Sequence, residues 1–448
     1  MKIIQSNEFD IYWKTEVKQS DDIETESIVK EIITAVRKEG DTAVRRFASK
    51  FDRASPQKLE VPFSEAQRSL DELRASDPQL AEALEFSAKN IKCFSEKQKE
   101  QFVNFEYEMA AGLVTGQRVI PVERAAVYIP GGRFPLFSSV LMCMIPAFCA
   151  GVEEVILSSP PMEDGLPDRR TLAAAALAAG ICGVSEKRFR IFAIGGAQAI
   201  AALSLGTESV PKVDVIVGPG NKFVAAAKRI LFGEVGIDFI AGPTDVLIIA
   251  DGQAGGSIEK AAELAAADML AQAEHDPDAR ARALVPNMEF AQALVKASER
   301  QLKILPEENA KIARLSLEAG GLIIVYKNKE EVIRIANIIA PEHLELQITD
   351  SDIENLIPLL KNYGSLFIGV LSAEVLGDYS AGINHTLPTS TSARFTGGLS
   401  VRHFLKTVTT LRCITGEGFK KACHAAEIIG KAEGLEGHAQ SAKCRYSH

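Results

Sequence analysis

Apolar residues near the start of the chain fall at helical intervals. Ile28, Val29, Ile32, Ile33 and Val36 recur three and four positions apart, and Gly40 stops the run. Asp41 is placed to cap a second helix carrying Val44, Phe47 and Phe51. Residues 78–102 are rich in Glu, Lys, Gln and Ala and predict a further helix. Beyond them the period shortens. Apolar runs at 125–129, 154–158, 190–194, 213–217, 239–241, 246–250, 281–285, 322–326 and 366–370 predict strands. Helical patterns fall between most of them, at 139–150, 171–179, 197–205, 222–231 and 258–272. This βα rhythm predicts parallel sheets covered by helices, and two sheets fit the strands better than one. The last fifty residues differ again: 400–415 is mixed, and 420–444 reads as one or two helices. That segment is too small for a core of its own and must pack on the body of the chain or on a partner.

Length and composition narrow the class. At roughly 100–200 residues per domain, 448 residues predict two to four domains. Hydrophobic residues at 46% and charged residues at 24% describe an ordinary globular chain rather than a disordered or fibrous one. Fifty Lys and Arg against 59 Asp and Glu leave a formal charge of −9, which disfavours nucleic acid or an anionic membrane as a partner. The seven cysteines are odd in number and none has CxxC spacing, which predicts reduced thiols and a cytoplasmic chain. The N-terminus lacks a continuous apolar segment of the secretory kind. The most apolar stretch, 136–152, is shorter than the ~20 residues of a spanning helix and contains Pro146; it predicts a buried core helix.

Several polar segments punctuate this pattern. Glycines cluster after apolar runs, at Gly131-Gly132, Gly195-Gly196, Gly218-Pro219-Gly220-Asn221 and Gly242-Pro243. Such turns either cradle a nucleotide or phosphate or simply close tight βα connections; no GxGxxG fingerprint is present. Gln272 and His275 are three apart on one helix face, so they can ligate a metal together, or His275 can bond the last helix carbonyls. Glu342 and His343 follow Pro341 and suit paired acid–base work, with a surface Glu and a turn His as the plain alternative. The loop from Gly377 to Ser390 offers Asp378 as a cation ligand and His385 as a substrate contact. Glu433 and His438, taken alone, would be a solvated helix face.

Taken together, these segments resemble the histidinol dehydrogenase family. The matching stretches are Tyr128-Ile129-Pro130-Gly131-Gly132, Ala193-Ile194-Gly195-Gly196-Ala197-Gln198-Ala199, Val217-Gly218-Pro219-Gly220-Asn221-Lys222, Gln272-Ala273-Glu274-His275, Ala340-Pro341-Glu342-His343-Leu344, Gly377-Asp378-Tyr379 with Asn384-His385, and Ala432-Glu433-Gly434-Leu435 with His438. They stand in the family's order along nearly the whole chain. The resemblance implies an α/β protein with two Rossmann-like parallel-sheet domains, a helical N-terminal region and a small C-terminal segment that crosses a dimer. On this reading 1–25 form an arm, 26–128 and 243–398 a discontinuous first domain, 129–242 a second, NAD-binding domain, and 399–448 the tail. It implies oxidation of L-histidinol to L-histidine through a bound aldehyde, with NAD and one zinc ion per subunit. Carried over, Gln272, His275, Asp378 and His438 would hold zinc. His343 would be the general base and Glu342 would activate water. Thr244, His385 and Glu433 would contact substrate alongside the zinc-binding side chains and His343, while Tyr128, Gln198 and Asn221 would line the NAD site. The homodimer would share its active sites, Glu433 and His438 completing the site of the other subunit.

The chain departs from the family pattern in three places. Thr244-Asp245 stands where Ser-Glu is usual, Arg133-Phe134 follows the Gly-Gly turn where a small residue often precedes the proline, and Thr389-Ser390-Thr391-Ser392 stands where a glycine is common. Each bears on the pocket, and the alternative they leave open is a relative that oxidises another polar alcohol, such as a sulfonated diol.

Overall fold

The computed structural model describes residues 1–16, 23–54, 57–131, 135–253 and 255–446. Arg133 and Phe134 lie outside these. Two six-stranded sheets form the body. The first runs Lys2–Gln5, Leu322–Val325, Arg280–Val285, Asp245–Ala250, His343–Gln347, Ser365–Ile368, all parallel. The second runs Glu60–Val61, Phe189–Ala193, Glu154–Ser159, Arg124–Tyr128, Val215–Val217, Gly236–Ile237 and is parallel except for its first strand.

Strand alternation explains why each sheet is buried on both faces. Ala125, Val127 and Ile129 enter one core while Ala126 and Tyr128 enter the other. In the first sheet Val246, Ile248 and Ala250 point one way and Leu247 and Ile249 the other. The apolar stretch expected as a buried helix is helix Phe137–Ala150, packed on one face of the second sheet, and Gly151 ends it in a left-handed conformation with φ 98°. Among the described residues no helix is long and apolar enough to cross a membrane.

The expected grouping of 26–128 with 243–398 is corrected. Val29, Ile32, Val36, Val44 and Phe47 pack on one face of the second sheet, and Leu70, Leu84 and Ile91 on the other. Residues 23–99 therefore cover the second sheet, because their apolar stripes are what bury its two faces. The expected arm also begins as sheet: Lys2–Gln5 pairs with Leu322–Val325 at the first sheet's edge. Residues 239–241 are not a strand. The chain leaves the sheet at Asp238, whose buried carboxylate accepts the Gly218 N–H at 2.8 Å and pairs with Lys228. Asp41 does not cap its helix but is its first residue; its carboxylate bonds Thr207 and Ser209 instead.

The tail is larger than the sequence indicates. Leu405–Cys413 pairs antiparallel with Leu113–Pro121, which pairs with Phe105–Ala110. Helices Glu417–Ala432 and Glu436–Tyr446 pack against each other beside this three-stranded sheet.

Candidate active site

Strand His343–Gln347 reads His-Leu-Glu-Leu-Gln. Its Leu344 and Leu346 enter an apolar core. Alternation then turns His343, Glu345 and Gln347 to the opposite face, toward helix Ile258–Ala273 and helix Glu374–Tyr379. There Gln347 donates to Asp268 at 2.7 Å and to Glu345 at 2.8 Å, and the Glu374 N–H donates to Glu345 at 2.8 Å. A central strand of a parallel sheet is ordinarily apolar on both faces, so a buried polar face marks a site.

The neighbouring strand supplies the second wall. Val246 is in register with His343, which brings Thr244 and Asp245 beside Glu342. Asp245 accepts the Glu342 N–H at 3.0 Å through one oxygen and Arg282 at 3.0 Å through the other. Its shorter side chain is thus spent as a clamp within the sheet. Thr244 Oγ1 donates to the Glu342 carboxylate and accepts Gln272 Nε2 at 2.5 Å, so the threonine hydroxyl ties the two together. His343 Nε2 lies 3.3 Å from Asp378 Oδ1, and His385 Nδ1 lies 2.7 Å from the Asp378 carbonyl oxygen. The other ring nitrogen of His385 is 2.8 Å from Ser139 Oγ, on the helix that follows strand Arg124–Tyr128 of the second sheet. The site therefore lies where the amino ends of the first sheet's strands approach the carboxyl ends of the second's.

Burial governs the charges. It pushes Glu342 up to about 7, against the pull of His343 and the Thr244 hydrogen bond. It also pushes Glu345 and Glu374 well above the usual carboxylate range, with neighbouring carboxyls reinforcing it, and raises Asp268. Asp378 is held below its ordinary value: burial opposes ionisation, but the His343 hydrogen bond and the nearby His385 and His275 outweigh it. Burial works against the His343 cation, yet Glu342, Asp378 and Glu374 together raise this ring well above its ordinary value. His385 is lowered, chiefly by burial. An ionised, buried Asp378 amid further carboxyls suits a bound cation. The amide of Gln272, the imidazole of His275 and that carboxylate form a donor set that fits zinc.

The expected residues fall into four groups. Gln272, Thr244, Glu342, His343, Asp378 and His385 meet in this pocket, Gln272 and His343 almost wholly buried. His275 stands just beyond the end of its helix, exposed, and near enough for its charge to act on Asp378 and His385. Tyr128, Gln198 and Asn221 line a separate cleft of about 550 Å³ at the carboxyl ends of the second sheet. Within it Tyr128 Oη accepts the Gly196 N–H at 3.0 Å, and Gln198 reaches Asp52 at 3.4 Å. Asn221 caps helix Lys222–Leu231 by accepting two N–H groups at 3.1 Å. Glu433 and His438 are exposed on the tail, at the end of one helix and in the next. Among the described residues no three His, Cys, Asp or Glu side chains close around a point that could hold a metal ion.

Asp52, Asp268, Arg282, Glu345 and Glu374 were not anticipated from sequence. The signal for Glu345 was present in the polar alternation of residues 343–347. The others come from distant segments and carry no local mark.

A family model described as histidinol dehydrogenase matches residues 15–446. The chain is 46% identical to the histidinol dehydrogenase of Aquifex aeolicus over 94% of this chain and 92% of that protein. It is 44% identical to that of Thermus thermophilus over 94% of each. Among solved structures, histidinol dehydrogenase from Elizabethkingia anophelis superimposes with a TM-score of 0.87 at 34% identity, covering 99% of this chain and 97% of that one.

Proposed function

The chain belongs to the histidinol dehydrogenase family, an oxidoreductase family, and from that premise we propose that it oxidises L-histidinol to L-histidine in two NAD-dependent steps with zinc bound. The observation that carries this reading is the meeting of Glu342 and His343 with Asp378 and Gln272 in one buried pocket. When bound, zinc would anchor the amine and imidazole nitrogens of the substrate, and NAD would accept hydride.

The residues divide the work by charge and position. Gln272, His275 and Asp378 would hold the ion, with His438 of the partner subunit as the fourth ligand. His343 takes the hydroxyl proton as the alcohol carbon gives up hydride and becomes an aldehyde. Glu342, as carboxylate, takes a proton from the water that adds to the aldehyde carbonyl. The resulting hydrate would give its hydride to a second NAD and its two hydroxyl protons to the basic side chains and then to solvent, leaving as the carboxylate. Thr244 keeps Glu342 and Gln272 in register. His385 of the same chain and Glu433 of the partner subunit would contact substrate, and Thr244 supplies the hydroxyl the family's serine would give. The dinucleotide would lie in the cleft lined by Tyr128, Gln198 and Asn221.

Exposed apolar side chains support the shared dimer. Phe105, Tyr107, Met109, Leu411 and Ile414 stand out on the three-stranded sheet and just past it, and Ile428 and Ile429 on the following helix. So much apolar surface beside an exposed Glu433 and His438 fits a tail seated on a second copy.

Zinc-loaded protein assayed for NAD reduction with L-histidinol, other amino alcohols and sulfonated diols tests the reading. Histidinol is expected to be the preferred substrate by kcat/KM. No turnover of histidinol, or preference for a diol, overturns it.

A further inference from the structure

The two ring nitrogens of His343 have different surroundings. Nε2 faces Asp378 at 3.3 Å, on the pocket side. Nδ1 has the Asp245 carbonyl oxygen at 3.4 Å, Glu374 Oε2 at 3.9 Å and Glu342 Oε2 at 4.0 Å, and of the two carboxylate oxygens that of Glu342 already accepts from the Thr244 hydroxyl and the Asp245 N–H. Glu374 opens helix Glu374–Tyr379, and only 2% of its side chain is exposed. Its Oε2 has no hydrogen-bond partner. A carboxyl oxygen buried without a donor is costly, and such a group calls for an explanation. Helix and strand hold it beside the one side chain whose tautomer matters to the chemistry.

We propose that Glu374 is a positioning residue: it accepts the Nδ1–H of His343 and fixes the tautomer in which Nε2 presents its lone pair to the reacting hydroxyl. The separation must close by about 1 Å to reach hydrogen-bond distance, and hydrogen bonds of this kind tighten as a site closes on its substrate. A carboxyl acceptor orients the ring more firmly than the backbone carbonyl beside it. Without it, Nδ1 and Nε2 compete for the proton, and the ring is free to turn its N–H toward Asp378. The inference rests on reading His343 as the base.

The test compares zinc-loaded wild type with E374M, which keeps length and removes the acceptor, and E374Q, which keeps an oxygen acceptor. Nitrogen-15 spectra of the His343 ring are recorded in alkaline buffer, where the ring is neutral, and assigned with H343Q. Wild type is expected to carry its proton on Nδ1, and E374M to give a mixture. E374M should lose kcat by about 10–100-fold with KM within about threefold of wild type, and E374Q should recover part of the loss. A wild-type ring protonated at Nε2, or an E374M enzyme with unchanged kcat, overturns the proposal. The wild-type spectrum needs neither a folded variant nor histidinol turnover, so an enzyme inactive on histidinol would overturn the functional reading while leaving this inference to be decided by the spectrum.

Discussion

His343 Nε2 and Asp378 Oδ1 meet 3.3 Å apart although 35 positions separate them. Strand His343–Gln347 brings one and helix Glu374–Tyr379 the other. On the proposed function this pairing divides two tasks, proton transfer at the ring and cation binding at the carboxylate. His343→Asn should therefore lower turnover by about 10²–10⁴-fold while zinc content stays near one per subunit. Initial rates and elemental analysis of the same preparation check this. Unchanged turnover would remove His343 from the base role.

Thr244 links the other two functions. Its hydroxyl touches both Glu342 and Gln272, so Thr244→Val should free both, while Thr244→Ser should keep them. Removing an orienting partner weakens metal sites by about 10–100-fold, and chelator competition on T244V should show a loss in that range. If T244V and T244S bind zinc equally well, the hydroxyl does not orient Gln272.

Glu342 sets a pH dependence. Held at about 7, it is an effective base only once deprotonated, so oxidation of the aldehyde should rise through pH 7 and level off above it. Single-turnover rates with the aldehyde should show this limb in wild type and lose it in E342Q. The same shift has a stability sign. A carboxyl raised from 4.5 to about 7 binds its proton more tightly in the folded state, so its contribution is full below 4.5 and lost as pH rises through 7. Relative to wild type, E342Q should therefore gain stability between those values, as read by urea unfolding.

Shared sites predict complementation. In a dimer of one His343→Asn chain and one His438→Asn chain, crossing tails place both lesions in one site and leave the other intact. Mixing the two inactive proteins after reversible dissociation should restore about a quarter of wild-type activity, with half the dimers mixed and one good site in each. Recovery of nothing would show that the tails do not cross.

Much of the body was legible because alternation and helical period are local. The expected strand at 246–250 and helix at 222–231 appear as Asp245–Ala250 and Lys222–Leu231. The three-stranded sheet escaped notice, although Phe105-Glu106-Tyr107-Glu108-Met109 alternates cleanly. Its apolar side is exposed in the single chain, and the third strand, Leu405–Cys413, which pairs with Leu113–Pro121, comes from almost 300 positions further along. The site was legible in Glu342, His343, Gln272 and Asp378 because the family's motifs carry them. Glu374, Arg282 and Asp268 were not, since each is made significant only by packing against another segment.

The loop after Pro388 carries strain where the family commonly has glycine. Ser390 and Thr391 adopt φ of 52° and 67°, the left-handed region that a β-branched residue resists. Thr391→Gly should raise stability by about 0.5–1 kcal/mol, because relief of strain exceeds the added freedom of the unfolded chain. The urea midpoint at constant slope measures it, and a lowered midpoint would contradict it.

The most direct test of the two-step oxidation is the yield of reduced dinucleotide per substrate. Zinc-loaded protein given a limiting amount of L-histidinol and excess NAD should form about two NADH for each histidine released, and chelator-stripped protein should form almost none until zinc is returned. A yield of one, with the aldehyde accumulating, or full activity without the metal, would contradict the account.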